Sequence, residues 1–258
     1  MKHCISLNNK SILVVGAAGR IGQNIVHGAL EAGSNVVALD SNPEALSDLE
    51  KNCQDQKRLL CGVVDITHKL SIENMLRAGE DRFGILDGAV NTAYPRNANY
   101  GKKFFEVTYE DFCENLSLHL GGYFLFMQQC AKFSMDRNQK FSLVNMSSIY
   151  GVMTPRFDVY ADTDMTMPVE YAAIKAALIH MTRYANAYTR GTFRANCVSP
   201  GGILAGQDTG FLERYNNHCM TKGMLDSKDI VGAIFYLLSD ASEFVVGQNF
   251  VVDDGFSL

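Results

Sequence analysis

The sequence predicts a doubly wound α/β domain built around a parallel β-sheet. Short β-branched runs alternate with segments of helical period along the whole chain, which is typical of βαβ units. The 258 residues include 22 Gly but only 5 Pro, which favours repeated strand–turn–helix units over a Pro-rich β-sandwich. No repeat, low-complexity linker or break in composition marks a second domain, so residues 1–258 are interpreted as a single domain.

Each predicted strand is a short apolar run that ends in Gly, Asp, Asn or Ser, and each predicted helix spaces its apolar residues at a helical period. Gly33 follows the first helix, and Pro43 opens the second at its first turn. The predicted strands are residues 11–16, 34–40, 59–65, 85–91, 141–147, 192–199 and 249–254. The predicted helices are residues 20–32, a helix from Pro43, and residues 68–82, 107–136, 169–190 and 227–239.

Composition and charge exclude several classes of protein. Apolar residues make up 47% and charged residues 20%, which is ordinary globular usage and excludes disorder and coiled coils. A net charge of −5 leaves no positive excess for nucleic acid. The seven Cys are odd in number and form no C-x-x-C pair, so they predict reduced thiols and no metal site. No targeting or membrane segment is found, which predicts a cytoplasmic protein with no membrane partner.

A glycine-rich turn joins the first predicted strand to the first helix, with the sequence Gly16-Ala17-Ala18-Gly19-Arg20-Ile21-Gly22. Glycine lets the backbone approach a pyrophosphate, and the helix N-terminus presents free N–H groups to it. Asp40 ends the second strand, 18 positions after Gly22. A carboxylate there accepts from ribose hydroxyls and repels a 2′-phosphate, so the pattern predicts a Rossmann-type site for NAD rather than NADP. Asp40 alone also fits a cap for the next helix.

A second group of residues points to acid–base chemistry. Tyr171 and Lys175 are four residues apart on a predicted helix and therefore share one face. A phenol with an ordinary pKa near 10 holds its proton too tightly at neutral pH, and a nearby Lys⁺ favours the phenolate. Ser148 follows the fifth strand at the same sheet edge as the glycine-rich turn, where its hydroxyl can orient a substrate oxygen. Ser148, Tyr171 and Lys175 are therefore the predicted catalytic residues.

With these residues, the chain resembles the short-chain dehydrogenase/reductase family over essentially its whole length. Further matches are Asp65-Ile66 after the third strand, Asn91-Thr92-Ala93 after the fourth, the loop through Pro200-Gly201-Gly202-Ile203, and Asp254-Gly255 after the last strand. The resemblance implies cofactor contacts at Gly16, Gly19, Arg20, Ile21, Gly22, Asp40, Asp65, Ile66, Asn91, Ala93, Tyr171, Lys175, Pro200, Gly201 and Ile203.

Two departures concern the glycine-rich turn and the long fourth helix. Arg20 stands where the single-domain branch of the family has its second Gly, and it either packs against the pyrophosphate or lies in solvent. His119 stands where the family has an Asn that organises a proton-relay water beside the Lys, and Asn115 lies one turn earlier on the same face. His119 and Asn115 are both candidate catalytic residues, although a buried His in a helix is more often structural.

A third departure is the long spacing between Ser148 and Tyr171, which predicts an active-site insertion near 152–168 over the substrate pocket. Tyr160 lies inside it, but Asp164 follows four residues later in place of a Lys, and a carboxylate raises a phenol's pKa. Tyr160 is therefore not expected to be catalytic. Arg156 is a candidate contact for an anionic substrate group.

The resemblance implies an NAD-dependent oxidoreductase that interconverts a secondary alcohol and a ketone. The insertion and the stretch 223–226 resemble family members of bacterial surface-sugar and flagellin-glycosylation pathways, which suggests a phosphorylated or nucleotide-linked sugar as substrate. One alternative is a 3-oxoacyl-carrier reductase, although no basic patch for an acidic carrier is evident. Another is an NAD-binding regulatory protein without turnover. The family's pairing through two long helices implies a homotetramer or homodimer.

Overall fold

Seven short apolar runs form the strands of one parallel sheet in the computed structural model, which describes residues 5–258. All five residues of the first strand are buried, as expected where helices cover both faces of a sheet. The strands are Ser11–Val15 (β1), Asn35–Asp40 (β2), Leu59–Val63 (β3), Gly88–Asn91 (β4), Phe141–Met146 (β5), Phe193–Pro200 (β6) and Asn249–Val252 (β7).

The strand order is β3-β2-β1-β4-β5-β6-β7, and every neighbouring pair is parallel. The chain therefore winds outward from β1 in one direction and from β4 in the other. In such sheets the crevice for a ligand opens at the carboxyl ends of the two strands where the order reverses. The predicted doubly wound parallel sheet is confirmed, and its crevice lies between the ends of β1 and β4.

Helices cover both faces of the sheet. They are Arg20–Glu31 (α1), Pro43–Asn52 (α2), Lys69–Phe83 (α3), Tyr109–Asn115 (α4), Gly122–Arg137 (α5), Val169–Thr189 (α6), Thr209–Asn216 (α7) and Val231–Leu238 (α8). Buried side chains of α1, α2 and α8 share one core with Ile12 and Val14, whereas those of α3, α5 and α6 share a second core with Leu13 and Val15. Alternate residues of β1 therefore serve the two cores.

The long helix expected at 107–136 is divided. Its α-helical parts, α4 and α5, are joined by a π-helical segment at Leu116–Gly121. The α-helix α7 has no counterpart among the predicted elements.

A third apolar cluster lies on the segments that follow the carboxyl ends of β5, β6 and β7. It joins the 152–168 segment to α7 and to the last residues of the chain, and its buried members are Ile149, Tyr150, Val159, Phe211, Tyr215, Met224 and Phe256. Residues 152–168 are thus packed into this cluster, with a short 3₁₀ helix at Phe157–Tyr160.

Within residues 5–258, no helix is both long and apolar enough to cross a membrane. In the same part of the chain, no three His, Cys, Asp or Glu side chains are grouped as metal ligands would be. The described cysteines are free thiols, namely Cys53, Cys61, Cys113, Cys130, Cys197 and Cys219, and Cys4 lies outside the described residues.

Candidate active site

The turn after β1 requires glycine at two positions. Gly16 has a φ of +76°, and a Cβ there would lie 2.7 Å from Thr92 Oγ1. A Cβ on Gly22 would lie 2.0 Å from the carbonyl oxygen of Gly16. No side chain caps α1 at Gly19, so the N–H groups of its first turn remain open to a bound anion. This close backbone approach and open helix end fit the pyrophosphate of a dinucleotide.

Asp40 connects the glycine-rich turn to the end of β2. One carboxylate oxygen accepts a hydrogen bond from the Ala18 N–H at 3.0 Å, and the other accepts from the Asn42 N–H at 3.1 Å. The cap of α2 is Asn42, whose side chain accepts from the Glu44 and Ala45 N–H groups. Asp40 is therefore not the helix cap that the sequence also allowed, and it lies against the predicted pyrophosphate turn.

Asp65 and Ile66 follow β3 and have different surroundings. The exposed Asp65 accepts from the backbone N–H and the hydroxyl of Thr67, at 2.8 and 2.6 Å. Ile66 is buried in the second core against Gly122, where a Cβ would lie 2.8 Å from Ile66 Cδ1. The Ile66 side chain is thus a core residue, which leaves only its backbone for the expected cofactor contact.

The turn after β4 packs directly against the glycine-rich turn. Asn91 is fully buried, its Oδ1 accepts from the Ala93 N–H at 3.0 Å, and its Nδ2 has no partner within residues 5–258. The Tyr123 hydroxyl on α5 lies 3.0 Å from the carbonyl oxygens of both Asn91 and Ala93. This buried polar framework fixes the β4 turn at the crevice.

The loop after β6 is held from two sides. The Gly202 N–H donates to the Tyr215 hydroxyl at 2.6 Å, and Ile203 forms a parallel bridge with Leu225. Pro200 ends β6, and a Cβ on Gly201 would lie 2.9 Å from the Cβ of Asp253 after β7.

Arg20 has a partner that the sequence does not suggest. Its exposed guanidinium donates to the Leu204 carbonyl oxygen at 2.9 Å, so it joins the glycine-rich turn to the loop after β6. The side chain is therefore engaged rather than free in solvent.

Ser148, Tyr171 and Lys175 come together at the carboxyl end of β5. Ser148 is buried and forms a hydrogen bond with Tyr171. The Lys175 ammonium is buried, donates to the Met146 carbonyl oxygen at 2.8 Å, and lies 5.4 Å from the centre of the Tyr171 ring. The Ser147 hydroxyl donates to the Lys175 carbonyl oxygen at 2.9 Å, which ties α6 to the end of β5. The three predicted catalytic side chains thus share one site.

The pKa values of this group differ from the sequence expectation. Burial lowers the pKa of Lys175 to about 7, because the charged ammonium loses its hydration. Burial raises the pKa of Tyr171 above its ordinary value, and the hydrogen bond with Ser148 only partly opposes this. The expected lowering of the Tyr171 pKa by Lys175 is therefore wrong for the protein without a ligand, since desolvation outweighs it.

His119 lies beside Lys175. It is buried on the π-helical segment, and its Nε2 is 3.3 Å from Lys175 Nζ. Its Nδ1 is buried and has no partner among the described residues. Burial, and then the Lys175 charge, lower the pKa of His119 to about 2, so the imidazole is neutral.

Asn115 hydrogen-bonds to Asn97 and Glu170. Its Oδ1 accepts from the Asn97 N–H at 2.9 Å, and its Nδ2 donates to Asn97 Oδ1 at 3.2 Å and to the buried Glu170 carboxylate at 3.4 Å. These bonds engage its side chain with the loop after β4 and with α6, and the place of Asn115 in a relay stays a prediction. In the structure Asn115 is an anchor for that loop.

Tyr94 is a site residue that sequence reasoning missed. Its ring makes edge contacts with His119 and Tyr171, at centroid distances of 5.1 and 5.7 Å. Its hydroxyl donates to the Tyr100 hydroxyl at 2.6 Å. The available signal was its position, directly after the Asn91-Thr92-Ala93 turn that the resemblance had already placed at the cofactor.

The segment 152–168 is tied down by side chains from elsewhere. The Tyr160 hydroxyl donates to the Tyr150 hydroxyl at 3.3 Å, and its ring packs on Phe211, which gives it a structural role. Arg156 donates to the carbonyl oxygens of Phe256 and Leu258, at 3.4 and 3.1 Å. Both bonds come from Arg156 Nη2, whereas the buried Nε has no partner within residues 5–258. The expectation that Arg156 meets an anionic substrate group stays a prediction.

The sheet, its crevice and the grouping of Ser148, Tyr171 and Lys175 define an oxidoreductase of the doubly wound α/β class. Residues 16–257 match the family model described as Enoyl-(Acyl carrier protein) reductase. The chain belongs to the short-chain dehydrogenase/reductase family. It is an NAD(P)-dependent oxidoreductase acting on CH–OH groups.

Similar proteins agree with this assignment. Post-translational flagellin modification protein A of Campylobacter coli is 40% identical over 98% of this chain and 100% of its own length. A 2,5-dichloro-2,5-cyclohexadiene-1,4-diol dehydrogenase of Sphingobium indicum is 30% identical over 97% of this chain and 98% of its own. The crystal structure of a short-chain dehydrogenase from Leptospira borgpetersenii with bound NAD⁺ has a TM-score of 0.83 and 31% identity, covering 98% of this chain and 94% of that one.

Proposed function

We propose that this protein uses NAD to interconvert a secondary alcohol and a ketone. The observation that carries the proposal is the grouping of Ser148, Tyr171 and the buried Lys175 at the sheet edge that also carries the glycine-rich turn. This arrangement supplies an oriented hydroxyl, a phenol that exchanges a proton and a base that adjusts it.

Each side chain has a defined part in the reaction. Bound NAD would supply the hydride acceptor. Ser148 donates a hydrogen bond to the substrate oxygen and orients it against Tyr171. Tyr171 takes the hydroxyl proton during oxidation and returns one during reduction. Lys175, with its pKa of about 7, exchanges a proton near neutral pH and stabilises the phenolate when protonated.

NAD rather than NADP is supported by Asp40, whose carboxylate already lies at the glycine-rich turn. A 2′-phosphate at that place would face a like charge at hydrogen-bond range. The related structure from Leptospira borgpetersenii, which contains NAD⁺, agrees with this preference.

A phosphorylated or nucleotide-linked sugar of a surface-glycan pathway is the substrate class that we favour. The support is the 40% identity with a protein named for flagellin modification. Reduction of a 3-oxoacyl carrier is the second candidate. The description of the matching family model names an acyl carrier protein, but for reduction of an enoyl C=C bond rather than a 3-oxo C=O group. A regulatory NAD-binding protein without turnover is disfavoured, because Tyr171 and Lys175 are both present and in contact range.

We also propose a cytoplasmic homodimer or homotetramer that pairs through the long helices. Exposed aromatic side chains on α4, α5 and α6 support a second copy as the partner, namely Tyr109, Phe124, Tyr184 and Tyr188. Tyr184 and Tyr188 stack on each other, and exposed apolar surface of this kind is typical of an interaction site.

The test is a panel of alcohols incubated with purified protein and NAD, followed by nicotinamide absorbance. The panel pairs free sugars with sugar phosphates and nucleotide sugars, and includes 3-hydroxyacyl thioesters. Tyr171→Phe should abolish turnover and leave NAD affinity nearly unchanged, whereas Tyr160→Phe should retain most activity. NAD binding without turnover of any alcohol would favour the regulatory alternative, and equal losses in the two variants would place chemistry in the 152–168 segment.

A further inference from the structure

The loop after β4 forms one side of the site, and its chemistry is not used by the proposed reaction. Tyr94 contacts both Tyr171 and His119 edge-on, with interplanar angles of 86° and 83°. A substrate whose reacting carbon lies at the Tyr171 hydroxyl therefore lies next to Tyr94 as well. Residues 94–103 are called the Tyr94 loop below.

The Tyr94 loop carries a cation whose hydrogen-bond donors are not engaged. The Arg96 guanidinium lies over the Tyr94 ring, 5.0 Å from its centre, and the side chain is exposed. Within residues 5–258, no hydrogen bond or ion pair engages this guanidinium. The Arg96 Cζ lies 5.0 Å from the Tyr94 ring centre, which in turn lies 5.7 Å from the Tyr171 ring centre. The guanidinium is therefore within roughly 11 Å of the Tyr171 ring centre.

The Tyr94 loop is fixed rather than loose. Asp111 on α4 accepts hydrogen bonds from Asn97, Asn99 and Lys102, at 3.0, 2.9 and 3.1 Å. Asn115 holds the Asn97 backbone, as described above. A cation on a loop anchored at so many points loses little conformational entropy when a ligand binds.

Other cations near the site each have a partner in the protein. Arg156 Nη2 donates to oxygens at the end of the chain, Arg20 donates to the Leu204 carbonyl oxygen, and Lys102 pairs with Asp111. Arg96 differs from these, since it contacts the Tyr94 ring and no hydrogen bond or ion pair within residues 5–258 engages its planar fork. Such a fork matches the two oxygens of a phosphate or carboxylate.

We propose that Arg96, positioned on Tyr94, binds an anionic group of the substrate, a phosphate or a carboxylate, while the substrate's alcohol carbon lies at Tyr171. The inference rests on the proposed function in one respect, because it takes Tyr171 to mark the reacting end. It makes the anionic group a requirement for tight binding and assigns to Arg96 the role that the sequence had suggested for Arg156.

The test uses inorganic phosphate as the probe and enzyme saturated with NAD, so that the pyrophosphate site is filled. Phosphate binding is measured by calorimetry for the wild type, Arg96→Gln and Arg96→Lys. Arg82→Ala is the control, because the Arg82 guanidinium also lies over an aromatic ring, 5.4 Å from the centre of Phe83, but on α3. Loss of a bidentate charge-assisted contact should weaken phosphate binding about tenfold or more in Arg96→Gln. Arg96→Lys should be intermediate, and Arg82→Ala should bind like the wild type.

Three results would overturn the proposal. The first is a wild-type holoenzyme that does not bind phosphate, and the second is a phosphate affinity that is unchanged in Arg96→Gln. The third is a loss of NAD affinity in Arg96→Gln as large as the loss of phosphate affinity, which would assign Arg96 to the cofactor's pyrophosphate. Phosphate binding needs no turnover, so an Arg96-dependent site in a protein that oxidises no alcohol would reject the proposed function alone.

Discussion

At the scale of single residues, the contact between His119 and Lys175 decides how a proton can leave the site. The imidazole is neutral because its pKa is far below 7. When Lys175 is protonated its ammonium can only donate, so Nε2 accepts the hydrogen bond between them. The proton of the neutral ring then lies on Nδ1, which is buried without a partner among the described residues. A donor in that state can hold a relay water.

The first prediction separates this relay from simple packing. His119→Asn should preserve substantial activity, because an amide offers one acceptor and one donor in the same place. His119→Leu should lower kcat by about 10²-fold or less, the scale of one positioned proton-transfer group, and leave NAD binding intact. Steady-state kinetics and NAD titration measure both. Full activity in His119→Leu would end the relay role.

The second prediction concerns the pH dependence of stability. The folded pKa of Lys175, about 7, lies below its unfolded value of 10.5, so the buried charge lowers stability fully below pH 7. Between pH 7 and pH 10.5, Lys175 is protonated only in the unfolded chain, so the destabilisation by the buried charge declines as the pH rises. The advantage of Lys175→Met in unfolding free energy should therefore shrink across this range, by on the order of 5 kcal/mol. Urea unfolding without NAD at several pH values tests it, and a pH-independent difference would contradict it.

The third prediction concerns cofactor choice. Asp40→Asn removes the charge and keeps one oxygen for the turn, whereas Asp40→Ala would also release the Ala18 N–H. The wild type should prefer NAD, which means that its dissociation constant for NADP exceeds that for NAD. Asp40→Asn should lower the ratio of the NADP to the NAD dissociation constant about tenfold or more. Asp48→Asn, an exposed carboxylate on α2, is the matched control. Equal wild-type affinities for NAD and NADP would refute the assignment.

At the scale of elements, two helical glycines give opposite expectations. A Cβ on Gly22 meets the Gly16 carbonyl oxygen at 2.0 Å, whereas a Cβ on Gly232 in α8 meets nothing within 4 Å. Gly22→Ala should lower the unfolding free energy by roughly 1–3 kcal/mol and weaken NAD binding more than tenfold. Gly232→Ala should raise stability by about 0.5–1 kcal/mol with unchanged NAD affinity. Thermal unfolding and NAD titration of both variants decide the matter, and a tolerated Gly22→Ala would mean that the turn is not tightly packed.

The sheet was predictable because each strand and its helix are local patterns in the chain. Helix α7 was not predicted, although Asp208 caps it and Phe211 and Tyr215 form an apolar pair four residues apart. That signal is only two turns long and sits beside a Gly-rich stretch. The π-helical segment could not be read from the sequence, since the apolar pattern of the long helix continues through it.

The candidate site was predictable where the residues follow strand ends, as Ser148 and Asp40 do. Its other parts depend on contacts between distant segments. Asn115 reaches Asn97 across 18 positions, and Arg156 reaches Phe256 across 100. No local pattern encodes such pairs, so the anchor role of Asn115 and the engagement of Arg156 emerged only from the fold.

At the scale of the whole molecule, the fifth prediction concerns assembly. Tyr184 and Tyr188 on α6 stack on each other and are 67% and 77% exposed. If the long helices pair two copies, replacing both with Asp should shift the protein toward monomer, because each charge would lose its hydration in the interface. Leu70→Asp on α3, where Leu70 is 70% exposed, should not change the mass. Sedimentation velocity measures this, and an unchanged oligomer in the double variant would place the interface elsewhere.

The π-helical segment also decides where this long helix can change in length. A π turn holds one residue more than the α turn it replaces, so deleting one residue from 116–121 would restore α geometry and leave the two flanking parts in nearly the same relative orientation. Deleting one residue within α5 would instead rotate the helix beyond it by about 100°. Buried side chains on the two sides of that deletion, such as Tyr123 and Phe133, could not keep their contacts together. In divergent descendants of this sequence, a single-residue change in the length of the long helix is therefore expected at 116–121, and longer insertions and deletions in loops such as 152–168.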